Sequence, residues 1–240
     1  MCALLPLAPS QLNPRFYRIH FLTALGIAAV AAAFAVESDI HYGPWFWTAL
    51  LASLLVCCAG SLLWSLEQAP GGGLAIVASA VALLAALGIF YWTAAVGWVS
   101  PTLLAEACTS AMLLGFAMTA MLLGHSYLIA PSMSITPLLR TLAGLAVALV
   151  ARGTLAGWTL WFWTREHSLA NLNDEVTLLL PVRWGIGLLL PLALVLMAWQ
   201  TARIRSTQSA TGILYVVVIF CFIGELVGLI LGRLSGAMLS

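Results

Sequence analysis

Charged residues are scarce in this 240-residue chain, and lysine is absent from it. Asp, Glu, Lys and Arg together make up 7% of the sequence, whereas a soluble domain carries about 25%. A fold with so few charges cannot cover its surface in water, so most of that surface must face lipid. The sequence also has no basic run long enough to indicate nucleic-acid binding. These shortages argue against a soluble globular protein and against a nucleic-acid-binding protein.

Motifs of the common catalytic and metal sites are missing as well. The sequence contains no glycine-rich phosphate loop, no HExxH pattern and no nucleophile elbow. Its five cysteines form neither a CxxC pair nor a Cys/His spacing typical of a metal site. Four of the five lie within apolar stretches, where we interpret them as small core residues. The sequence therefore predicts no metal site, and it leaves open whether the protein is an enzyme.

Long hydrophobic stretches fill the chain almost from end to end. A helix needs about 20 mostly apolar residues to span a bilayer, and seven stretches meet that length. They are separated by short segments rich in Pro, Gly and polar residues, which end helices or permit sharp turns. The sequence predicts an all-α integral membrane protein, a bundle of seven transmembrane helices in a single domain. The predicted spans are roughly 16–36, 45–66, 74–99, 102–130, 136–163, 176–200 and 210–234.

The distribution of arginine predicts how the bundle is oriented. Cytoplasmic loops of membrane proteins carry an excess of Lys and Arg. A cytoplasmic N-terminus places five arginines on the inner side: Arg15, Arg18, Arg140, Arg203 and Arg205. It places two on the outer side, Arg165 and Arg233. We therefore predict a multi-pass protein of a cell membrane, of the bacterial inner membrane type, with an external C-terminus.

The first span has a second interpretation. Arg15 and Arg18, followed by the apolar run 21–35 and small residues, also fit a cleavable signal peptide. That run is long for a signal peptide, so we favour a retained first helix.

Tryptophans collect near the predicted span ends, which is typical of a belt at the lipid headgroups. The members of this belt are Trp45, Trp47, Trp64, Trp98, Trp161, Trp163 and Trp199.

Four charged residues lie inside the predicted spans: Glu106, Arg152, Arg183 and Glu225. A helical rise of ~1.5 Å per residue puts Arg152 ~24 Å and Glu225 ~22 Å from the inner edge. By the same count, Arg183 lies ~10 Å and Glu106 ~6 Å from the outer edge. All four thus fall at similar depth in the outer half of a core about 30 Å thick.

Matched depth predicts that these charges neutralise one another, because an unpaired charge in a bilayer costs roughly 2.5–3.5 kcal/mol or more. We expect Arg152 to contact Glu225, or else Glu106. Arg183 should take the other acid or a backbone carbonyl freed by Pro181 or Pro191, which should bend the sixth span. Arg152→Ala alone should destabilise the protein more than the double change with its partner, because it leaves a lone buried carboxylate behind.

The charged cluster has two interpretations. As a functional site, it forms a polar pocket, lined also by Trp158 and Trp184, that holds a quinone headgroup, binds an anion or relays protons through Glu225. As a structural feature, it is a buried ion-pair network that locks the last four helices together.

Two histidines lie near the inner ends of different spans. His20 opens the first span and His125 closes the fourth, with Tyr17, Tyr127 and Arg140 nearby in the predicted topology. Two histidines at matched depth on different helices are what a b haem requires. A quinone or proton role for His125 and a plain interfacial histidine are the alternatives. The remaining histidines, His41 and His167, fall in outer loops.

Glycines four residues apart mark sites of close helix packing. The seventh span carries Gly224, Gly228 and Gly232, and the fifth carries Gly153 and Gly157. We expect tight helix contacts at both places, within the chain or between chains.

Two classes of function fit this architecture, and a third stays open. The first is an integral membrane subunit of a redox or energy-coupling complex, with a quinone or haem site and with other membrane subunits as partners. The second is a small-substrate transporter or channel. Against it stand the lack of an internal repeat and the lack of paired broken helices. The third is a non-catalytic assembly or scaffold protein.

Overall fold

The computed structural model describes residues 1–7, 9–39, 42–66, 71–94, 101–130, 133–166 and 174–234. Almost all of these residues are helical, and none of them forms a strand. The helices are α1 (Pro14–Glu37), α2 (Pro44–Leu63), α3 (Gly72–Ala94), α4 (Pro101–Ile129), α5 (Thr136–Glu166), α6 (Asp174–Trp184), α7 (Leu190–Arg203) and α8 (Thr207–Leu234). A π-helical turn, Gly185–Leu189, joins α6 to α7. Two short 3₁₀ turns, Cys2–Leu4 and Pro9–Gln11, precede α1.

Seven helical stretches in the described residues are long and apolar enough to cross a membrane. The sixth of them runs from Asp174 to Arg203 and contains α6, the π-helical turn and α7. The seven predicted spans are therefore confirmed as helices long and apolar enough to cross a membrane, with ends that differ by a few residues where they are described. The predicted end of the third span, 95–99, lies outside the described residues. The orientation of the spans stays a prediction.

Local chemistry explains where several spans begin. Asn13 caps α1, because its side-chain oxygen accepts a hydrogen bond of 2.9 Å from the backbone N–H of Arg15. Proline is the first residue of α1, α2 and α4, where a helix needs no N–H donor. Gly71 has φ +76° just before α3, a left-handed conformation that glycine adopts without strain.

The chain divides into two compact units, Met1–Cys108 and Thr109–Ser240. In the first unit, α2 packs against both α1 and α3. Near the predicted outer ends of these helices, Ala35, Phe46 and Leu50 form a buried apolar cluster. Its partly buried neighbours are Ala32, Tyr42, Ile89 and Phe90.

Aromatic rings fill the other end of the first unit. The Tyr17 ring stacks on Trp64 with centroids 4.2 Å apart, and both side chains are buried. Phe21 lies against Gly60, and Trp64 lies against Gly72, so that neither glycine has room for a Cβ. Trp64 is thus a core residue, and the prediction that it belongs to the interfacial belt is wrong.

In the second unit, α8 packs against α6, the π-helical turn and α7, while α5 packs against α7. Trp163, Val176, Val227 and Leu231 form a buried cluster that joins α5, α6 and α8. Trp163 is therefore another core residue that the sequence had assigned to the interface. By contrast, Trp45 is 75% exposed and Trp161 46% exposed, as a belt residue should be. Trp98 lies outside the described residues.

The sixth span changes its helical type in the middle. The π-helical turn Gly185–Leu189 precedes Pro191, and the Leu190 N–H bonds to the Gly185 carbonyl five residues earlier. A proline ring clashes with the carbonyl four residues before it in a regular α-helix, so the wider turn accommodates Pro191. The structure thus shows a change of helical type before Pro191, while the bend predicted from Pro181 and Pro191 stays a prediction.

Candidate functional site

Glu225 is the centre of a buried cluster of charges in the second unit. Its carboxylate accepts hydrogen bonds from Arg152 Nε, at 3.2 and 3.3 Å, and from Arg183 Nη1, at 3.0 Å. The Ser110 side chain contributes a further hydrogen bond to the same carboxylate. All three charged side chains are buried, with residue exposures of 1–5%. The four residues come from α4, α5, α6 and α8, so the cluster ties these helices together.

Small residues on α8 and in the π-helical turn make room for this cluster. A Cβ built on Gly228 would lie 3.1 Å from Arg183 Cζ, so the guanidinium occupies the space that a larger residue would fill. One turn earlier, a Cβ on Gly224 would lie 2.4 Å from Gly187 Cα. The two backbones therefore touch, which explains why both positions are glycine. The tight helix contact predicted for the stripe Gly224, Gly228 and Gly232 is present at Gly224 and lies within the chain, whereas Gly228 meets the Arg183 side chain.

The other predicted glycine pair behaves differently. A Cβ on Gly157 would meet the Trp184 ring at 3.4 Å, an ordinary contact, and a Cβ on Gly153 would meet nothing within 4 Å. The expected tight contact at these two residues is therefore absent. Trp184 does approach α5, whereas Trp158 is 54% exposed and contacts Trp161 and Phe162. Trp158 is thus a surface residue of this unit, and the prediction that it lines a pocket at the charged cluster is wrong.

The N–H groups on Arg152 Nη1 donate no hydrogen bond to any described residue. Arg152 Nη1 is buried and has no hydrogen-bond partner among the residues that the structure describes. A guanidinium nitrogen can only donate, so this group requires an oxygen acceptor. Leaving such a donor unsatisfied in an apolar environment is costly. A carbonyl, an anion or a water molecule beside Nη1 would each supply the acceptor that this donor lacks.

The predicted contact between Arg152 and Glu225 is confirmed. Arg183 donates to the same carboxylate, a sharing that the sequence prediction did not include. Glu106 belongs to the first unit, where it is 6% exposed and interacts electrostatically with Tyr91. Its role in neutralising an arginine stays a prediction.

His20 lies on α1 in the first unit, and its ring has a defined tautomer. Nδ1 is 2.9 Å from the backbone oxygen of Phe16, which can only accept, so Nδ1 carries the proton. Nε2 is then an acceptor, and it is buried without a hydrogen-bond partner in the described part of the chain. This is how histidines that ligate metals are often held, with the second nitrogen bonded to a carbonyl.

His125 lies on α4 in the second unit and has a different environment. Its side chain is exposed, and its Nδ1 lies 3.4 Å from the Tyr215 hydroxyl of α8. Arg140, at the start of α5, is also exposed. Because His20 and His125 belong to different compact units, a haem held by both histidines stays a prediction, as does a quinone or proton role for His125. His41 and His167 lie outside the described residues.

Sequence reasoning missed two residues of the cluster, Ser110 and Gly187, and it missed the specific partner of Arg183. Ser110 was overlooked because a hydroxyl is a weak signal within an apolar span. Gly187 could have been noticed as a small residue between Pro181 and Pro191, but only the backbone shows that it meets Gly224. Arg183 could be assigned a depth but not a specific carboxylate.

Comparison with known proteins gives no further guide, since no family model, no curated protein and no solved structure matches this chain.

Proposed function

We propose that this chain is an integral membrane subunit of a redox or energy-coupling complex, and that its Arg152–Glu225–Arg183 cluster binds the headgroup of a quinone. The observation that supports the proposal is the unused donor of Arg152 Nη1 inside the spanning region. A quinone reaches such a site through the lipid and presents carbonyl oxygens that accept from a guanidinium group. The proposal includes a location in a bacterial inner membrane, and the arginine distribution supports a cytoplasmic N-terminus there.

Each member of the cluster has a task in this proposal. Arg152 uses Nε to hold Glu225 and directs Nη1 to a quinone carbonyl. Glu225 holds both guanidinium groups in place, and Ser110 adds a further hydrogen bond to its carboxylate. Reduction of the quinone to quinol takes up two electrons and two protons. The electrons would come from a haem or iron–sulfur donor in a partner subunit, and the protons from water.

Arg152→Lys tests the proposal, because lysine keeps a cation beside Glu225 but lacks the second nitrogen of the guanidinium fork. The purified protein, in nanodiscs, is titrated with a short-chain quinone, and binding is followed by calorimetry. A hydrogen bond to a charged group contributes about 1.5–3 kcal/mol, so we expect the lysine variant to bind at least about tenfold more weakly. The matched control is Arg165→Lys, a change of an exposed arginine on the same helix.

Two results would refute quinone binding at this cluster. One is wild-type affinity in the Arg152→Lys variant. The other is an equal loss of affinity in the Arg165→Lys control, which would show that the effect is not specific to the buried site. Absence of quinone binding by the wild-type protein would also refute the proposal, and it would leave small-anion transport or a structural role for the cluster.

A small-anion transporter is the second candidate, and the π-helical turn favours it. Secondary transporters often bind substrates at the midplane beside interrupted helices, and this turn begins two residues after Arg183. Uptake of small anions into proteoliposomes, abolished by Arg183→Gln and unaffected by Arg165→Gln, would support transport over quinone binding.

A further inference from the structure

Positive charge is concentrated at one end of the second unit. At this end α4 terminates, α5 begins and a short turn joins α7 to α8. Arg140, Arg203 and Arg205 are all exposed there. No Asp or Glu occurs in 109–165 or in 176–224, the stretches that supply these helix ends. The three arginines, which we call the basic surface, thus have no acidic neighbour from the helix ends that carry them.

Tyr127 connects the parts of the basic surface. It is buried near the end of α4, and its hydroxyl donates to the backbone oxygen of Ser134. Tyr127 also interacts with the backbone of Leu138 and electrostatically with Arg205. Leu138 is two residues before Arg140 in the first turns of α5. The start of α5 and the α7–α8 turn are therefore adjacent, and their arginines face the same end of the unit.

Exposed apolar side chains lie at the same end of the second unit as these cations. Ile129, the last residue of α4, is 78% exposed, and Ile204, between Arg203 and Arg205, is 77% exposed. Bulky apolar groups beside arginines at the end of spanning helices match the boundary between acyl chains and headgroups. A free phosphate ion would use the arginines alone, whereas a phospholipid would use both kinds of side chain.

We propose that the basic surface binds the phosphate groups of anionic phospholipids, with Ile129 and Ile204 against the acyl chains. Each arginine near an anionic headgroup layer contributes favourably, and basic surfaces at the ends of spanning helices are known to bind such headgroups. This site is separate from the Arg152–Glu225–Arg183 cluster, so it does not depend on quinone binding.

The test compares lipids that differ in headgroup charge. Detergent-purified protein is titrated with short-chain phosphatidylglycerol, with short-chain phosphatidylcholine and with inorganic phosphate, and bound lipid is counted by native mass spectrometry. We expect phosphatidylglycerol to bind at least about tenfold more tightly than phosphatidylcholine. Inorganic phosphate at the same concentration should not displace it, because phosphate lacks the acyl contacts.

Variants locate the site without endangering the fold. Arg205 has φ 60°, a conformation that favours glycine, so Arg205→Gly removes a charge from a turn that glycine suits. We expect this variant and Arg203→Gln each to weaken phosphatidylglycerol binding about fivefold. Arg165→Gln, at the opposite end of α5, should leave it unchanged. Equal binding of the two lipids, displacement by equimolar phosphate, or an equal effect of Arg165→Gln would each overturn the proposal.

Discussion

Replacing Glu225 should destabilise the protein more than replacing either arginine that binds it. The Glu225 carboxylate serves two cations, Arg152 at 3.2 Å and Arg183 at 3.0 Å. Glu225→Gln removes the charge and leaves both guanidinium groups buried without it. Removing one partner of a buried pair costs about 3–5 kcal/mol. Because two cations lose this carboxylate at once, we expect a loss at the upper end of that range.

Removing one arginine has a smaller expected effect. In Arg152→Met the carboxylate keeps its hydrogen bond to Arg183, and the methionine fills part of the vacated volume. The loss is then that of a charge-assisted hydrogen bond, about 1.5–3 kcal/mol. The sequence alone predicts that an Arg152 variant is less stable than its double variant with Glu225. The structure predicts the opposite order. The double variant should be less stable than Arg152→Met, because it also removes the carboxylate to which Arg183 donates.

The assay is reversible unfolding in mixed micelles of dodecyl maltoside and SDS, followed by tryptophan fluorescence. The free energy of unfolding is compared for wild type, Glu225→Gln, Arg152→Met and the double variant. Arg165→Met serves as a control, since an exposed arginine should contribute at most about 1 kcal/mol. If Glu225→Gln costs no more than Arg152→Met, the shared carboxylate is not the centre of the network and the reasoning fails.

Glycine substitutions and reporter fusions test the packing and the orientation of the spans. Gly224→Val should lower the free energy of unfolding, because its Cβ would lie 2.4 Å from Gly187 Cα, and Gly212→Ala, with nothing within 4 Å, should not. Gly228→Ala should have an intermediate effect, because only the Arg183 side chain has to move; unfolding in the same micelles ranks the three, and equal losses would contradict the packing. Reporter fusions measure orientation, and an external signal at position 208 would refute a cytoplasmic N-terminus. The expected signals are cytoplasmic at Gly72 and Gln208, and external at Asp39 and Asn171.

The spans could be predicted because their signal is simple. A bilayer requires about 20 apolar residues in a row, and such runs separated by Pro and Gly are visible without any structure. The contact between Arg152 and Glu225 could also be predicted, since the helical rise gives each charge a depth. Depth alone allowed either Glu106 or Glu225 as the partner of each arginine. Choosing between the two acids requires the rotation of each helix about its own axis. The sequence of an almost uniformly apolar helix gives little information on that rotation.

The same limit explains the errors about tryptophan. Trp64 and Trp163 lie at span ends, where an interfacial tryptophan is expected, yet both are buried. Their positions along the helix axis were right for a belt, but their directions around the axis were not. Trp64 packs on Tyr17 and Gly72, partners that become neighbours only after α1, α2 and α3 assemble.

The surroundings of Arg183 bear on whether the charged cluster has only a structural role. A buried ion-pair network can often be replaced by apolar residues of similar volume without loss of stability, so stability alone does not require charges here. Yet the backbone is shaped around this arginine: Gly228 leaves space for its guanidinium, and the π-helical turn begins two residues after it. A purely structural network predicts that Arg152→Lys, which keeps the cation beside Glu225, changes nothing but stability. A binding site predicts that the same variant stays folded and loses its ligand, because only the guanidinium has the unused donor at Nη1. The comparison of folding and binding in this one variant therefore separates the two roles.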